Sequence, residues 1–333
     1  MSPMSTTPTT VPTMTMARAL NAGLRRAMED DRRVVLFGED IGRLGGVFRI
    51  TDGLQKDFGE HRVIDSPLAE SGIVGTAVGM AMRGYRPVVE IQFDGFVYPA
   101  FDQIVSQVAK TLRRSEGTVR MPMVIRIPYG GGIGAVEHHS ESPEAYFAHT
   151  AGLRVLTPSD PQAAYLTIQQ AIACDDPVVF LEPKRRYWDK GEVDESIDPR
   201  ASSPWRSRVL REGSDVTVAC YGPMVRTCLE AAEAADVSLA VIDLQSLSPL
   251  DLEPVVASVE RTGRLVVVHE ASSTGGLGAE VAAQVTERCF FSLESPVLRV
   301  TGYDVPYPAS RLEEHFLPDL DRVLDAVDRV LAC

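Results

Sequence analysis

Glu70 has surroundings that suit it to proton chemistry. It stands in the run Asp65-Ser66-Pro67-Leu68-Ala69-Glu70-Ser71-Gly72, with Ile73, Val74, Ala77 and Val78 beyond it. Ser66 with Pro67 is expected to open a helix, which places Glu70 in the first turns. One use for a carboxylate there is to complement the positive end of the helix dipole. The small and apolar neighbours suggest another. A desolvated carboxyl has a raised pKa and can exchange a proton near neutrality. Gly72, Gly75 and Gly79 leave the helix thin enough for another backbone to approach closely.

A second candidate is the pair His138-His139, the only two of the six histidines in a loop with glycine before and acidic residues after. Three readings stay open: a solvated polar loop, an imidazole held protonated by a neighbouring carboxylate for proton delivery, and a metal set of His139, Glu141 and Glu144. Phe93, Phe96, Tyr98 and Phe101 follow the run Glu90-Ile91-Gln92. They are either core or a flat platform for a planar ring at the end of a strand.

Other motifs carry less. Gly130, Gly132 and Ala135 match a loose G-x-G-x-x-A, but Glu137-His138-His139 after them is a poor start for a helix on a pyrophosphate. A loop that lets a ligand or another chain approach its backbone fits better. Gly275, Gly276 and Gly278 read as a strand-to-helix turn, with an anion site as the alternative. The chain has no G-x-x-x-x-G-K-[ST] and no G-x-S-x-G, which excludes P-loop chemistry and gives a serine triad no support.

These residues need a frame, and the hydrophobic pattern supplies one. Short apolar runs alternate with helical stretches: strands at 34–37, 87–91, 123–127, 153–156 and 178–181, and helices at 73–82, 99–114 and 161–173. Near-continuous apolar strands separated by helices predict a parallel sheet covered on both faces. The pattern lapses into charged and polar residues between Pro183 and Pro204, and residues 191–204 are read as a linker. Strands then recur at 216–220, 239–243, 265–269 and 297–300, predicting a smaller α/β domain over 205–333 after a first domain over 16–190. Met1–Thr15, rich in Ser, Thr and Pro, reads as a mobile tail.

The chain has 333 residues and a formal charge of −13, so its mean field repels phosphate backbones and anionic lipid. Neither a nucleic-acid nor a membrane role is expected. Five cysteines with no C-x-x-C pair argue against a disulfide scaffold or zinc knuckle and fit a reducing cytoplasm.

Taken in order, several runs are more specific than any one motif. They are Leu36-Phe37-Gly38-Glu39-Asp40, Gly45-Gly46-Val47-Phe48-Arg49, Ser66-Pro67-Leu68-Ala69-Glu70, Glu90-Ile91-Gln92-Phe93, Pro99-Ala100-Phe101-Asp102-Gln103 and His139-Ser140-Glu141-Ser142-Pro143-Glu144-Ala145. The chain resembles the β subunit of the decarboxylating component of 2-oxo acid dehydrogenase complexes. The branched-chain members are closest in wording, especially at the His-Ser-x-Ser-Pro-Glu-Ala run and Leu181-Glu182-Pro183-Lys184. A pyruvate-specific subunit is the alternative.

The resemblance implies a thiamine-diphosphate-binding, transketolase-like pyrimidine domain followed by a transketolase C-terminal domain. It implies that Glu70 contacts the aminopyrimidine ring, with Leu68, Gln92 and Phe96 lining the cofactor cleft. Phe96 stands where branched-chain relatives often carry tyrosine. His139, rather than His138, matches the family histidine of proton transfer or reductive acylation. Diphosphate and magnesium belong to a Gly-Asp-Gly motif on an α subunit, and no Gly-Asp-Gly occurs here. The expected assembly is an α2β2 heterotetramer that acylates a lipoylated dihydrolipoyl acyltransferase core. That core's basic subunit-binding domain would meet Asp319, Asp321, Asp325 and Asp328. A potassium ion, held largely by carbonyls, is expected near Cys174 and Asp176.

Overall fold

A computed structural model describes residues 11–333. Its first sheet has seven strands, in the order Ser246–Ser248, Arg154–Leu156, Val178–Pro183, Val124–Tyr129, Arg86–Glu90, Val34–Gly38 and Val63–Asp65. Every neighbouring pair is parallel except the first, which is antiparallel. The central strands are buried along their length, as a sheet covered on both faces requires. The second sheet runs Leu298–Gly302, Leu265–Ser272, Val216–Cys220, Leu239–Asp243 and Arg208–Arg211, parallel apart from the last strand.

Chain order dictates where a ligand can sit. Val34–Gly38 is followed by Val63–Asp65 on one side of it, after which the chain crosses to Arg86–Glu90 on the other. The carboxyl ends of Val34–Gly38 and Arg86–Glu90 therefore flank a topological switch point, the crevice that open parallel sheets offer to ligands.

Local signals explain the main helices. Thr15 caps Met16–Asp30 by accepting from the Arg18 N–H at 3.3 Å, and Leu20, Leu24, Ala27 and Met28 form its buried face. Asp160 caps Pro161–Ala173 through the Ala163 N–H at 2.8 Å, with Pro161 fitting the first turn.

Several expectations need correcting. The predicted tail is not loose to its end: Met1–Thr10 lie outside the described residues, but Thr13–Thr15 pairs antiparallel with Lys190–Glu192. The stretch 191–204, read as a linker, is no loose tether but a strap packed on the helix Pro161–Ala173. In it Val193 is buried, the Asp194 N–H donates to Gln162 at 2.7 Å, and Gln170 donates to the carbonyls of Pro199 and Ser202. The helix predicted over 99–114 is broken into a 3-10 turn, Asp94–Ala100, a π-helical turn, Gln103–Val108, and a short α-turn, Thr111–Arg114. Pro99 sits near the first break and has no N–H to extend a helical ladder.

The apolar core is continuous between the two sheets. It runs from Val89, Ile125 and Leu181 through Tyr129 and Tyr221 to Ile242 and Val267. No described helix is long and apolar enough to cross a membrane.

Candidate active site

The switch point gathers acidic and amide side chains from adjacent strand ends. Glu39 and Asp40 follow Val34–Gly38, and Gln92 follows Arg86–Glu90, its amide reaching Asp40 Oδ2 at 3.4 Å. Burial pushes the Glu39 carboxyl above its ordinary range, and the charges of Asp40 and Glu70 add to the rise. Glu70 is the first residue of the helix Glu70–Met82 and is 8% exposed. The helix starts later than Ser66-Pro67 suggested. Ala69 is its cap residue and offers no side-chain acceptor, while the Ser66 hydroxyl donates to the Pro67 carbonyl instead. The first N–H groups of this helix therefore have no side-chain cap. Leu68, by contrast, is 66% exposed.

Aromatic rings and the histidine pair form the next layer. His139 is half-buried, with its ring 4.2 Å from Phe93 and 5.1 Å from Phe96, both edge-on. Its Nδ1 is buried without a hydrogen-bond partner. Gly95 makes this approach possible: a Cβ there would strike the backbone and side chain of His138. The turn Asp94–Ala100 packs against both the Glu70 helix and the histidine turn, so one element ties the two candidates together. His138 is exposed, with Nδ1 3.3 Å from Glu137.

Protonation of His139 by a neighbouring carboxylate is not what the structure favours. Burial lowers its pKa, the positive charges of His138 and Lys184 lower it further, and Glu137 opposes them only weakly. The ring is thus tuned toward the neutral form, which carries one donor and one acceptor nitrogen. The metal reading also fails. Glu144 is buried against Tyr221, Glu141 accepts from the Tyr98 hydroxyl at 3.1 Å, and no metal-binding group of three His, Cys, Asp or Glu occurs among the described residues.

Two buried charge networks, which motif reading passed over, hold these residues up. Lys184 and Asp94 form an ion pair with both side chains fully buried; Asp94 also accepts the Glu141 N–H at 2.8 Å, and Lys184 lies over the Phe93 ring. Burial pushes the Asp94 carboxyl up to about 6 and drives Lys184 down, with each partner's charge opposing the shift of the other. Beneath them Arg126 spans three strands, bonding Glu182 at 2.7 and 2.9 Å and Glu90 at 2.5 Å, while Tyr187 donates to Glu182 at 2.6 Å. For the second network the available signal was Glu90, Arg126 and Glu182 inside apolar strands, since buried charges call for partners.

Cys174 and Asp176 lie elsewhere, and guanidinium groups already hold them. Arg86 donates to the carbonyls of Ile172 and Cys174 at 3.0 and 2.9 Å, and Arg154 pairs with Asp176 at 2.8 Å. A potassium ion at this turn would face two cations, so the residues do not fit that expectation. The glycine turn at 275–278 is a strand-to-helix connection whose Gly276 and Gly278 lie against the His269 ring.

An acid, an amide, an aromatic pair and a half-buried histidine around the switch point of a parallel sheet make this a candidate ligand site of the open α/β class. The comparisons agree with that class. Residues 12–189 match the transketolase pyrimidine-binding domain and residues 206–323 the transketolase C-terminal domain. A solved chain described as a split-gene transketolase, inactive β4 tetramer, superposes with a TM-score of 0.76 at 25% identity, covering 96% of this chain and 98% of the other.

Relatives narrow the class further. The pyruvate dehydrogenase E1 component subunit β of Leifsonia xyli is 59% identical, over 97% of this chain and 96% of its own length. The 3-methyl-2-oxobutanoate dehydrogenase subunit β of Mycobacterium tuberculosis is 54% identical over 96% and 92%, and the 2-oxoisovalerate dehydrogenase subunit β of Pseudomonas aeruginosa 46% over 99% and 99%. The chain belongs to the β subunits of the E1 component of 2-oxo acid dehydrogenases, thiamine-diphosphate-dependent enzymes that work with an α subunit.

Proposed function

We propose that this chain is the β subunit of a branched-chain 2-oxo acid dehydrogenase, contributing the pyrimidine half of the cofactor cleft in an α2β2 assembly. The observation that carries the reading is Glu70, a nearly buried acid at the switch point, on a helix packed against the turn Asp94–Ala100, which carries Phe96 and packs in turn on the His139 segment. These side chains fit an aminopyrimidine. With the ring bound, Glu70 would meet a ring nitrogen, Gln92 would line the polar edge, Phe96 would offer an apolar face, and His139 would bring an imidazole whose Nδ1 has no partner in the chain.

Bound thiamine diphosphate supplies an electron sink for the pair left when carbon dioxide departs. Glu70 would hold a proton at the ring nitrogen, and its burial would limit competition from bulk water for that proton. His139, kept neutral by its burial and its cationic neighbours, takes or gives a proton at the reacting end of the cleft. The exposed Leu68 and the small-residue face of the Glu70–Met82 helix await a partner chain, which brings diphosphate and magnesium. Product leaves on the lipoyl group of an acyltransferase core in the cytoplasm.

The test is turnover of the assembled α–β complex, with 2-oxoisovalerate and pyruvate compared side by side. Glu70→Gln is expected to assemble normally and to lose about 10²-fold or more in decarboxylation; normal turnover in that variant refutes the assignment. A second reading, a pyruvate-specific subunit, is favoured by the Leifsonia relative's name, and a preference for pyruvate would establish it.

A further inference from the structure

We propose that Glu313, from the C-terminal half of the chain, is a positioning residue that clasps the loop carrying His139. This inference rests on the reading of His139 given above. The loop runs from Gly130 to Glu141 and is closed at its base by the Gly130 N–H donating to the Glu141 carbonyl at 2.9 Å. Its outer part is largely open to solvent: Gly132, Ile133, Gly134, Val136, Glu137 and His138 are all exposed, although His138 abuts Gly95.

What holds the loop is carboxylate from the other half of the molecule. Glu313 Oε1 accepts the Gly132 N–H and Oε2 the Gly134 N–H, both at 2.9 Å. Glu270 Oε1 accepts the Gly131 N–H beside them. The Glu313 carboxylate is itself aimed by the Tyr307 hydroxyl, which donates to Oε1 at 2.6 Å. Tyr307, Phe316 and Leu317 form a small apolar cluster that anchors the short helix bearing Glu313.

The glycines serve this clasp. Gly132 has φ +86° and Gly134 φ +71°, so alternate N–H groups turn toward one acceptor, and a Cβ on Gly131 would strike the Tyr307 hydroxyl. A loop whose N–H groups are filled by carboxylates has no room for a phosphate. The same contacts explain why the glycine pattern is not a dinucleotide motif. Remove the clasp, and the Gly132 and Gly134 N–H groups and the Tyr307 hydroxyl lose their shared acceptor. The loop tip then loses its fixed position, and a misplacement of about 1 Å at a reacting group costs about 10²-fold in rate.

The experiment uses the assembled α–β complex. Backbone hydrogen exchange is followed by mass spectrometry in Glu313→Ala, Glu313→Gln and Tyr307→Phe, together with turnover of 2-oxoisovalerate using lipoamide as acceptor. In Glu313→Ala, exchange at residues 131–137 is expected to accelerate while the helix Leu320–Leu331 stays protected. The kcat is expected to fall by about 10²-fold with KM for the oxo acid little changed. Glu313→Gln keeps one acceptor and should fall between wild type and Glu313→Ala. Tyr307→Phe loosens the loop more mildly and carries the test if Glu313→Ala fails to assemble. Unchanged exchange and unchanged kcat in these variants would overturn the proposal. His139→Ala, run alongside, separates the two readings: if it turns over normally, the role of His139 falls, whereas the exchange data still decide whether Glu313 holds the loop.

Discussion

Glu144 offers a measurement of how tightly the histidine segment is sealed against the second half of the chain. Its side chain is fully buried; the Tyr221 hydroxyl donates to Oε1 at 2.8 Å, and Oε2 has no partner. Burial pushes the carboxyl from an ordinary 4.5 up to about 8, with the charge of Glu270 adding to the rise and the bond from Tyr221 opposing it. The folded chain therefore keeps a proton that the unfolded chain has released. This contribution to stability is whole below the unfolded pKa and is lost as pH rises toward and through the folded one. Between about pH 6 and pH 9 the loss amounts to about 2–3 kcal/mol. Glu144→Gln preserves the shape and the acceptor for Tyr221 but does not titrate. Thermal unfolding midpoints of the two complexes, compared across that range, should diverge by several degrees in favour of the variant at high pH. Parallel curves would refute the reasoning, because they would mean that Glu144 is solvated or already ionised.

The other consequences are as direct. Lys184→Met strands Asp94 in the interior and should destabilise the chain by about 3–5 kcal/mol, measured by denaturant unfolding; adding Asp94→Asn should recover most of that loss. A Lys184→Met variant of wild-type stability would show that the pair is hydrated. Asp321, Asp325 and Asp328 lie exposed along the last helix, while Asp319 spends its carboxylate capping that helix at the Arg322 N–H. If this face docks a basic domain of an acyltransferase core, affinity should fall steeply between low and physiological salt, and Asp321→Asn with Asp325→Asn should flatten the dependence. Binding indifferent to ionic strength would rule the face out.

The sheet strands were legible because their apolar runs are nearly uninterrupted, as at Val178–Pro183, and the helix Pro161–Ala173 because Asp160 and Pro161 announce it. What escaped was set by contacts distant in sequence. The strand Ser246–Ser248 is short, polar and defined by its partner Arg154–Leu156. The strap after Lys190 looks like a linker until its packing against Gln162 and Gln170 is seen. At the site, Glu70 and the His139 segment stood out through their neighbours in sequence. Lys184 and Asp94, separated by most of the first domain, meet only after folding. Resemblance pointed to potassium at Cys174, but it carried no information on where Arg86 would place its guanidinium.

The edge strand Ser246–Ser248 has a bearing on biosynthesis. A ribosome delivers Arg154–Leu156 well before the segment that pairs with it, so the nascent first domain exposes an open β edge in the interval. Solubility during synthesis thus depends on the later half arriving. Truncated products ending near residue 205 should accumulate as aggregates.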